Sequence, residues 1–284
     1  MSSILVAIDG TERGARALAW AARYANRDNA QLALVSVIDP AVARTYGTDE
    51  ASAKGSAQAV LDAAKESVLA QYPEADVSTS VVAGKIVEAL ADATVGHDMI
   101  VLGSHHGASA GETVGGAKGL RVSVSVDVPT VVVPCDWDPE NDGDRIVVGV
   151  GPDDTCHAAI EFGVREALAD AEPLELVSGW GLPALLSKPA EAMGGGLGPV
   201  GDQFQSNLDA LVLELSRSNE NLEVTGHAVE GPSPSRVLLD YAKGCKLLVL
   251  GTHSRSTLGR TLFGSVTHSV LLNLCVPTVV VPQK

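Results

Sequence analysis

The sequence predicts an α/β protein of two tandem domains, each a doubly wound parallel sheet with helices on both faces. An internal repeat is the first observation that leads there. MIVLGSHH at 99–106 returns as LLVLGTHS at 247–254, and VPTVVVP at 128–134 returns unchanged at 276–282, both 148 residues later. A fixed long period marks a duplicated unit, and 284 residues suffice for two cores. Composition is the second observation: hydrophobic residues make up 45% of the chain and aromatics only 4%, so the interior must be built from Val, Leu, Ile and Ala. Third, short apolar runs alternate with helical periodicity through each copy, and that alternation with right-handed crossovers gives a parallel sheet.

In the first copy, Ile4–Ile8 is an unbroken apolar run, as expected of a strand buried on both faces. Ala15, Leu18, Ala19, Ala22 and Ala25 mark one face of a following helix, with Thr11 as its cap. Leu32–Ile38 is the second strand. A long helix over Ala51–Gln71 is separated by Pro73 from Val77–Val82, whose alternation suits a less buried strand. Val87–Ala93 gives a short helix and Met99–Leu102 the central strand. Ligands of such sheets bind beyond the carboxyl ends of the strands, where the strand order switches. Asp9, Val37 and Gly103 lie at such ends.

CDWDPENDG, residues 135–143, is acidic, rich in turn formers and without apolar period, and reads as a linker between domains at 1–134 and 144–284. ILVAIDGTERGARAL from Ile4 matches IVVGVGPDDTCHAAI from Ile146 at the smaller offset of 142, so the second half carries insertions. Ile146–Val150, the face formed by Ile160, Val164 and Ala167, and Leu174–Val177 repeat strand, helix, strand. Leu182–Asp202 is an inserted, glycine-rich stretch. Within it Gly196, Gly198 and Gly201 satisfy a Gly-x-Gly-x-x-Gly fingerprint ahead of a helix at Gln203–Ser216. The preceding SKPAEAM is no strand, however, so a mobile loop over the site is the preferred reading. Leu247–Leu250 is a strand buried on both faces. Val266, Val270, Leu271 and Leu274 mark a helix, and Thr278–Val281 forms a last short strand.

Charge and motifs narrow the function. Twenty basic against 35 acidic residues leave a formal net charge of -15, which repels nucleic acid and anionic membranes at long range. Met1 leads almost directly into Ile4–Ile8, with no basic flank, long apolar segment or cleavage-like site, so a cytoplasmic protein is expected. Cys135, Cys156, Cys245 and Cys275 form no Cys-x-x-Cys pair and read as reduced thiols, with no metal site. GETVGGAK at 111–118 approximates a phosphate-binding loop, but Ala117 stands where a lysine must follow the last glycine. No zinc-protease, nucleophile-elbow or kinase signature occurs, so a non-enzymatic function is expected.

The chemistry should gather after Leu247–Leu250, where Gly251 opens a polar loop and Gly264 with Ser265 opens a helix. A glycine followed by a hydroxyl at a helix start presents backbone N–H groups to an anion. In this stretch, through Gly251, Ser254, Gly264 and Ser265, the chain resembles the universal stress proteins. Nucleotide-binding members of that family carry Gly, two residues, Gly, nine residues, then Gly with Ser or Thr; Ser254 here replaces the second glycine. The resemblance covers nearly the whole chain, twice. It implies Rossmann-like, adenine-nucleotide α-hydrolase-like domains paired through their last strands.

The resemblance also implies a site: an acid ending the first strand near the adenosine, backbone at the end of the second strand holding adenine, and the glycine loop around the phosphates. By position the first half supplies Asp9, Val37, Gly103, Ser104, His105 and Gly116, with His106 for the second motif glycine and Ala117 for the terminal hydroxyl. The second half supplies Gly251, Thr252, His253, Ser254, Gly264, Ser265, Val266 and Thr267, with Gly151 for the acid and Gly179 in the place of Val37. Intrusion by His106 together with a lost phosphate donor should weaken binding more than a lost sugar contact. The second half is therefore expected to be the stronger site. The implied cofactor is ATP, in one or both halves, with or without Mg. Asp153 and Asp154 read as a helix cap or as substitutes for the acid. His105 and His253 either order the loop or touch ligand, and Trp180 either packs or stacks on a base.

Three functions compete. The leading one is a tandem, ATP-binding regulatory or stress-response protein without catalytic machinery. The alternative is the same fold as a nucleotide-independent protein interaction module. An adenylyl transferase would need a His-Ile-Gly-His-like signature after the first strand, where DGTERG and GPDDTC stand. The resemblance further implies antiparallel pairing of Val131–Val133 with Val279–Val281, an intrachain pseudo-dimer, and leaves a homodimer of the whole chain open.

Overall fold

Valine, leucine and isoleucine runs become central parallel strands because both faces of such strands are covered by helices. In the structure, a computed structural model describing residues 2–104, 116–151, 156–181, 198–252 and 264–283, the chain divides into two units, Met1–Asn141 and Asp142–Lys284.

The first unit contains β1 (Ser3–Ala7), β2 (Gln31–Ile38), β3 (Val77–Ala83), β4 (Met99–Gly103) and β5 (Thr130–Val133). They lie in the order β3-β2-β1-β4-β5, all parallel, with Ala7 beside Val35 and Val6 beside Val101. The order reverses between β1 and β4, which puts the switch point at their carboxyl ends. Helix α1 (Glu12–Asp28) starts where Thr11 accepts a hydrogen bond from Gly14 N at 3.4 Å, and it ends at Asn29 in the left-handed region. Its buried face is Gly14, Ala17, Leu18, Trp20, Ala21, Ala22 and Ala25. Leu18, Ala22 and Ala25 are as expected, but Ala15 is exposed, because in so alanine-rich a helix the bulky Trp20 and Leu18 decide the rotation.

Helix α2 (Pro40–Thr45) has no counterpart in the sequence reading. It is one capped turn, with Pro40 at its start and Asp39 Oδ1 accepting from Ala41 N at 2.9 Å, and it buries nothing. Helices α3 (Glu50–Gln71), α4 (Ile86–Ala93) and α5 (Gly116–Ser125) complete the layers. α1 packs against α3, and α4 against α5. Leu5, Val35, Ile100 and Leu102 form a core with Leu90 of α4 and Val122 of α5. Burying each such side chain contributes about 1.5–3 kcal/mol. The segment after β5 is anchored on this unit: Trp137 is buried, and Arg23 donates to Pro139 O at 3.0 Å.

The second unit repeats the plan with β6 (Ile146–Gly149), β7 (Leu174–Trp180), β8 (Val224–Glu230), β9 (Leu247–Gly251) and β10 (Thr278–Val281), ordered β8-β7-β6-β9-β10 and all parallel. Its helices are α6 (His157–Asp170), α7 (Gly198–Ser218), α8 (Pro234–Tyr241) and α9 (Ser265–Leu271). α7 begins earlier than the expected Gln203, taking in two glycines read as loop. Gly201 sits there because a Cβ would come within 2.6 Å of the Trp180 ring. That glycine is required by packing, and Gly196, the first of the fingerprint, lies outside the described residues. Among the described residues no helix is long and apolar enough to cross a membrane.

All four cysteines are thiols. Cys245 lies in the core of the second unit beside Leu248 and Val276, and burial pushes its thiol up to about 12, with Arg145 pulling weakly the other way. Only thiolate reacts with disulfide reagents. At pH 8 the exposed Cys275 is therefore expected to be labelled readily in the folded protein, and Cys245 only after unfolding, by peptide mapping. With the folded value above the unfolded one, Cys245 favours the folded state below pH 9 and less so as pH rises beyond it. Labelling of Cys245 at the rate of Cys275 would contradict the burial.

Candidate functional site

The ends of β1, β2 and β4 form a cleft of about 140 Å³ that contains Asp9, Val37 and Gly103. Three of the residues selected from sequence thus meet in one place. The walls are apolar, from Val35, Val37, Leu102, Ile86, Leu90 and Val122, and the rim carries Asp9 and Arg13. The cleft is smaller than the roughly 300 Å³ and upward that encloses a drug-sized ligand. It suits a flat, largely apolar body whose polar remainder extends over the strand ends.

Asp9 is exposed and bends the chain into α1: its Oδ1 accepts from Thr11 N at 3.0 Å and from the Thr11 hydroxyl. Gly14 permits this, since a Cβ there would sit 2.8 Å from Asp9 Oδ1. Gly103 is held by a different constraint. A Cβ on it would collide with the carbonyl of Arg13, so the first turn of α1 lies directly over the end of β4. Ser104 is buried and continues the β4 ladder, its N donating to Val133 O at 2.7 Å. Gly116 stands at the start of α5. His105, His106 and the rest of that loop lie outside the described residues.

Arg13 was not singled out by sequence, because an arginine in the first turn of a helix reads as a solvated charge. Yet it lines the cleft, and its Nη1 is buried with no hydrogen-bond partner among the described residues.

In the second unit the helix lies closer to the strand ends. Gly179 replaces Val37, and a Cβ there would lie 2.8 Å from Pro234 Cα and 3.1 Å from Val237 Cβ, so α8 rests on the end of β7. Gly149 replaces Ala7, and its Cβ would meet Leu250 Cδ2 at 2.8 Å and Leu238 Cδ1 at 3.1 Å. Leu238, Leu250, Val237 and Val270 belong to one core cluster. A separate cavity of about 560 Å³ includes Gly151, Cys156 and Ser178 together with Phe204 and Leu208 of α7. Gly151 N donates to Cys156 Sγ at 3.0 Å. Trp180 stacks on Phe204, ring centroids 6.2 Å apart, which places it in packing between β7 and α7.

Several glycine-motif residues of the second unit also serve the fold. Thr252 is buried, its N donating to Val281 O at 3.1 Å. Thr267 is buried and its hydroxyl donates to Gly251 O at 3.2 Å, tying α9 to the end of β9. Gly264 is the N-cap of α9 with no side-chain cap, and Ser265 is exposed beside the half-buried Val266. His253, Ser254, Asp153 and Asp154 lie outside the described residues.

The sequence pattern of the universal stress protein family matches residues 1–134 and again 143–282. A universal stress protein of Mycolicibacterium smegmatis is 26% identical, over 99% of this chain and 97% of its own length. Universal stress protein Rv1996 of Mycobacterium tuberculosis is 25% identical, over 99% and 95%. Among solved structures, a universal stress protein from Archaeoglobus fulgidus superposes with a TM-score of 0.67 at 17% identity, covering 99% of this chain and 98% of that one. At that identity the likeness bears on fold, and it agrees with two α/β units in tandem. Matched in both halves, the chain belongs to the universal stress protein family as a tandem member.

Proposed function

We propose that this protein is a regulatory or stress-response protein that binds an adenine nucleotide, ATP included, and that the nucleoside sits in the cleft of the first unit. The observation that carries the reading is the meeting of Asp9, Val37 and Gly103 around an apolar cavity at the β1/β4 switch point. In this reading adenine lies along Val37, Asp9 approaches the ribose, and the phosphates extend past Gly103. This reading puts the nucleoside in the first unit, against the preference drawn from the glycine motif, because Asp9 and Val37 have only Gly151 and Gly179 as counterparts, and α8 packs directly on the strand end at Gly179. The same packing favours a second reading for the second unit, that of a nucleotide-independent interaction module.

The protein as purified, denatured and analysed by mass, is expected to release an adenine nucleotide. In ATP titrations Val37→Trp should fill the cleft and weaken binding by about tenfold or more, equivalent to about 1.4 kcal/mol. Gly264→Val should change it less. If Gly264→Val abolishes binding while Val37→Trp does not, the second unit is the site. If the wild type binds no ATP at millimolar concentration, the module reading replaces this one for the whole chain.

A further inference from the structure

We infer that Arg13 is the anion anchor of the first cleft, and that the phosphate it holds is the one attached directly to the nucleoside. This rests on the nucleotide reading above but adds a residue and a ligand group to it. Among the described residues, Arg13 and Asp9 are the charged ones that line the cleft. The Asp9 carboxylate is engaged by Thr11, whereas Arg13 Nη1 is buried and has no partner among the described residues. A buried guanidinium N–H without a partner is unfavourable, and its geometry matches two phosphate oxygens at once.

The placement of Arg13 is fixed by the fold. Its carbonyl and Cβ lie against Gly103, so the side chain leaves from the point where α1 crosses β4. An anion it meets must then lie beside Asp9 and Gly103, within one small cavity that also holds Val37. Only a phosphate next to the sugar is that close to a base on Val37. A terminal phosphate of a longer chain projects past it. In a chain of net charge -15, a cation at this spot also offsets the repulsion an anionic ligand meets.

The test uses the full chain and three probes, adenosine, AMP and ATP, titrated by calorimetry into wild type and Arg13→Gln. A charge-assisted pair should make AMP bind about 10- to 100-fold tighter than adenosine. ATP should gain only a few-fold beyond AMP. Arg13→Gln should bring AMP close to the adenosine value while leaving adenosine unchanged, which also shows that the variant is folded. Equal binding of AMP and adenosine by wild type overturns the inference. So does an Arg13→Gln variant that keeps the preference, or one that binds every probe more tightly because the arginine was a plug. Wild type that binds none of the three overturns the nucleotide reading and this inference with it.

Discussion

Gly143→Val is expected to destabilise the second unit by about 3–5 kcal/mol, combining overpacking of about 1–3 with left-handed backbone strain of similar size. Gly143 has φ +76, and a Cβ there would lie 2.5 Å from the carbonyl carbon of Cys245 and 2.6 Å from both Gly244 O and Lys246 N. The approach to β6 crosses the turn before β9 at that point, where Lys246 N donates to Arg145 O at 2.8 Å. Backbone cannot rotate away as a side chain can. Gly47 supplies the control, since it has φ +69 with nothing within 4 Å of a Cβ, so Gly47→Val carries the strain without the collision. Hydrogen exchange of β6 and β9 amides in Gly143→Val, and of α2 and α3 amides in Gly47→Val, reads the two units separately. Equal costs in the two variants would rule out the crowding at Gly143.

The second large effect is expected for Gly103→Val, which should cost the first unit about 3 kcal/mol and remove nucleotide binding together. The added Cβ meets the Arg13 carbonyl, so α1 must lift from β4. Lifting it displaces Arg13 and opens the wall beside Leu102. The expected signature is loss of exchange protection in α1 and β4, with ATP binding weakened even where the protein remains folded. A fully stable variant would mean that α1 shifts without penalty. The motif glycine would then owe its place to the ligand alone.

Much of this could be read from local pattern. The strand runs Ile4–Ile8, Met99–Leu102 and Leu247–Leu250 are apolar without alternation, Leu32–Ile38 is apolar apart from Ser36, and each is a strand within a residue or two of the expected limits. Thr11 was recognisable as a cap because a hydroxyl before an amphipathic run has one favourable use. Helix α2 escaped because six residues carry no period, and the start of α7 escaped because glycine has poor helix propensity. What requires glycine at 201 is the ring of Trp180, which arrives from β7.

The candidate site divides along the same line. Asp9, Val37 and Gly103 were legible because strand ends at a switch point are fixed by topology, and topology follows from the order of strands and helices. Arg13 was not, since whether a charged side chain turns to solvent or into a cleft depends on what lies above it. Thr267 looked like a phosphate ligand, and its bond to Gly251 O adds a structural role that only the folded chain displays.

By itself, then, the sequence determined the duplication, the α/β alternation and the strand ends at which the candidate residues gather. These depend on periodicity and burial, which neighbouring residues encode. Tertiary structure alone decided that the two strand ends are packed differently: a cleft lies beside Val37, and helix α8 packs against the backbone of Gly179. The reason is volume. A glycine lets a helix approach the sheet more closely than a valine does. The close approach is made by Pro234, Val237, Leu238 and Leu250, residues more than 50 positions away in sequence that meet Gly179 and Gly149 only after folding.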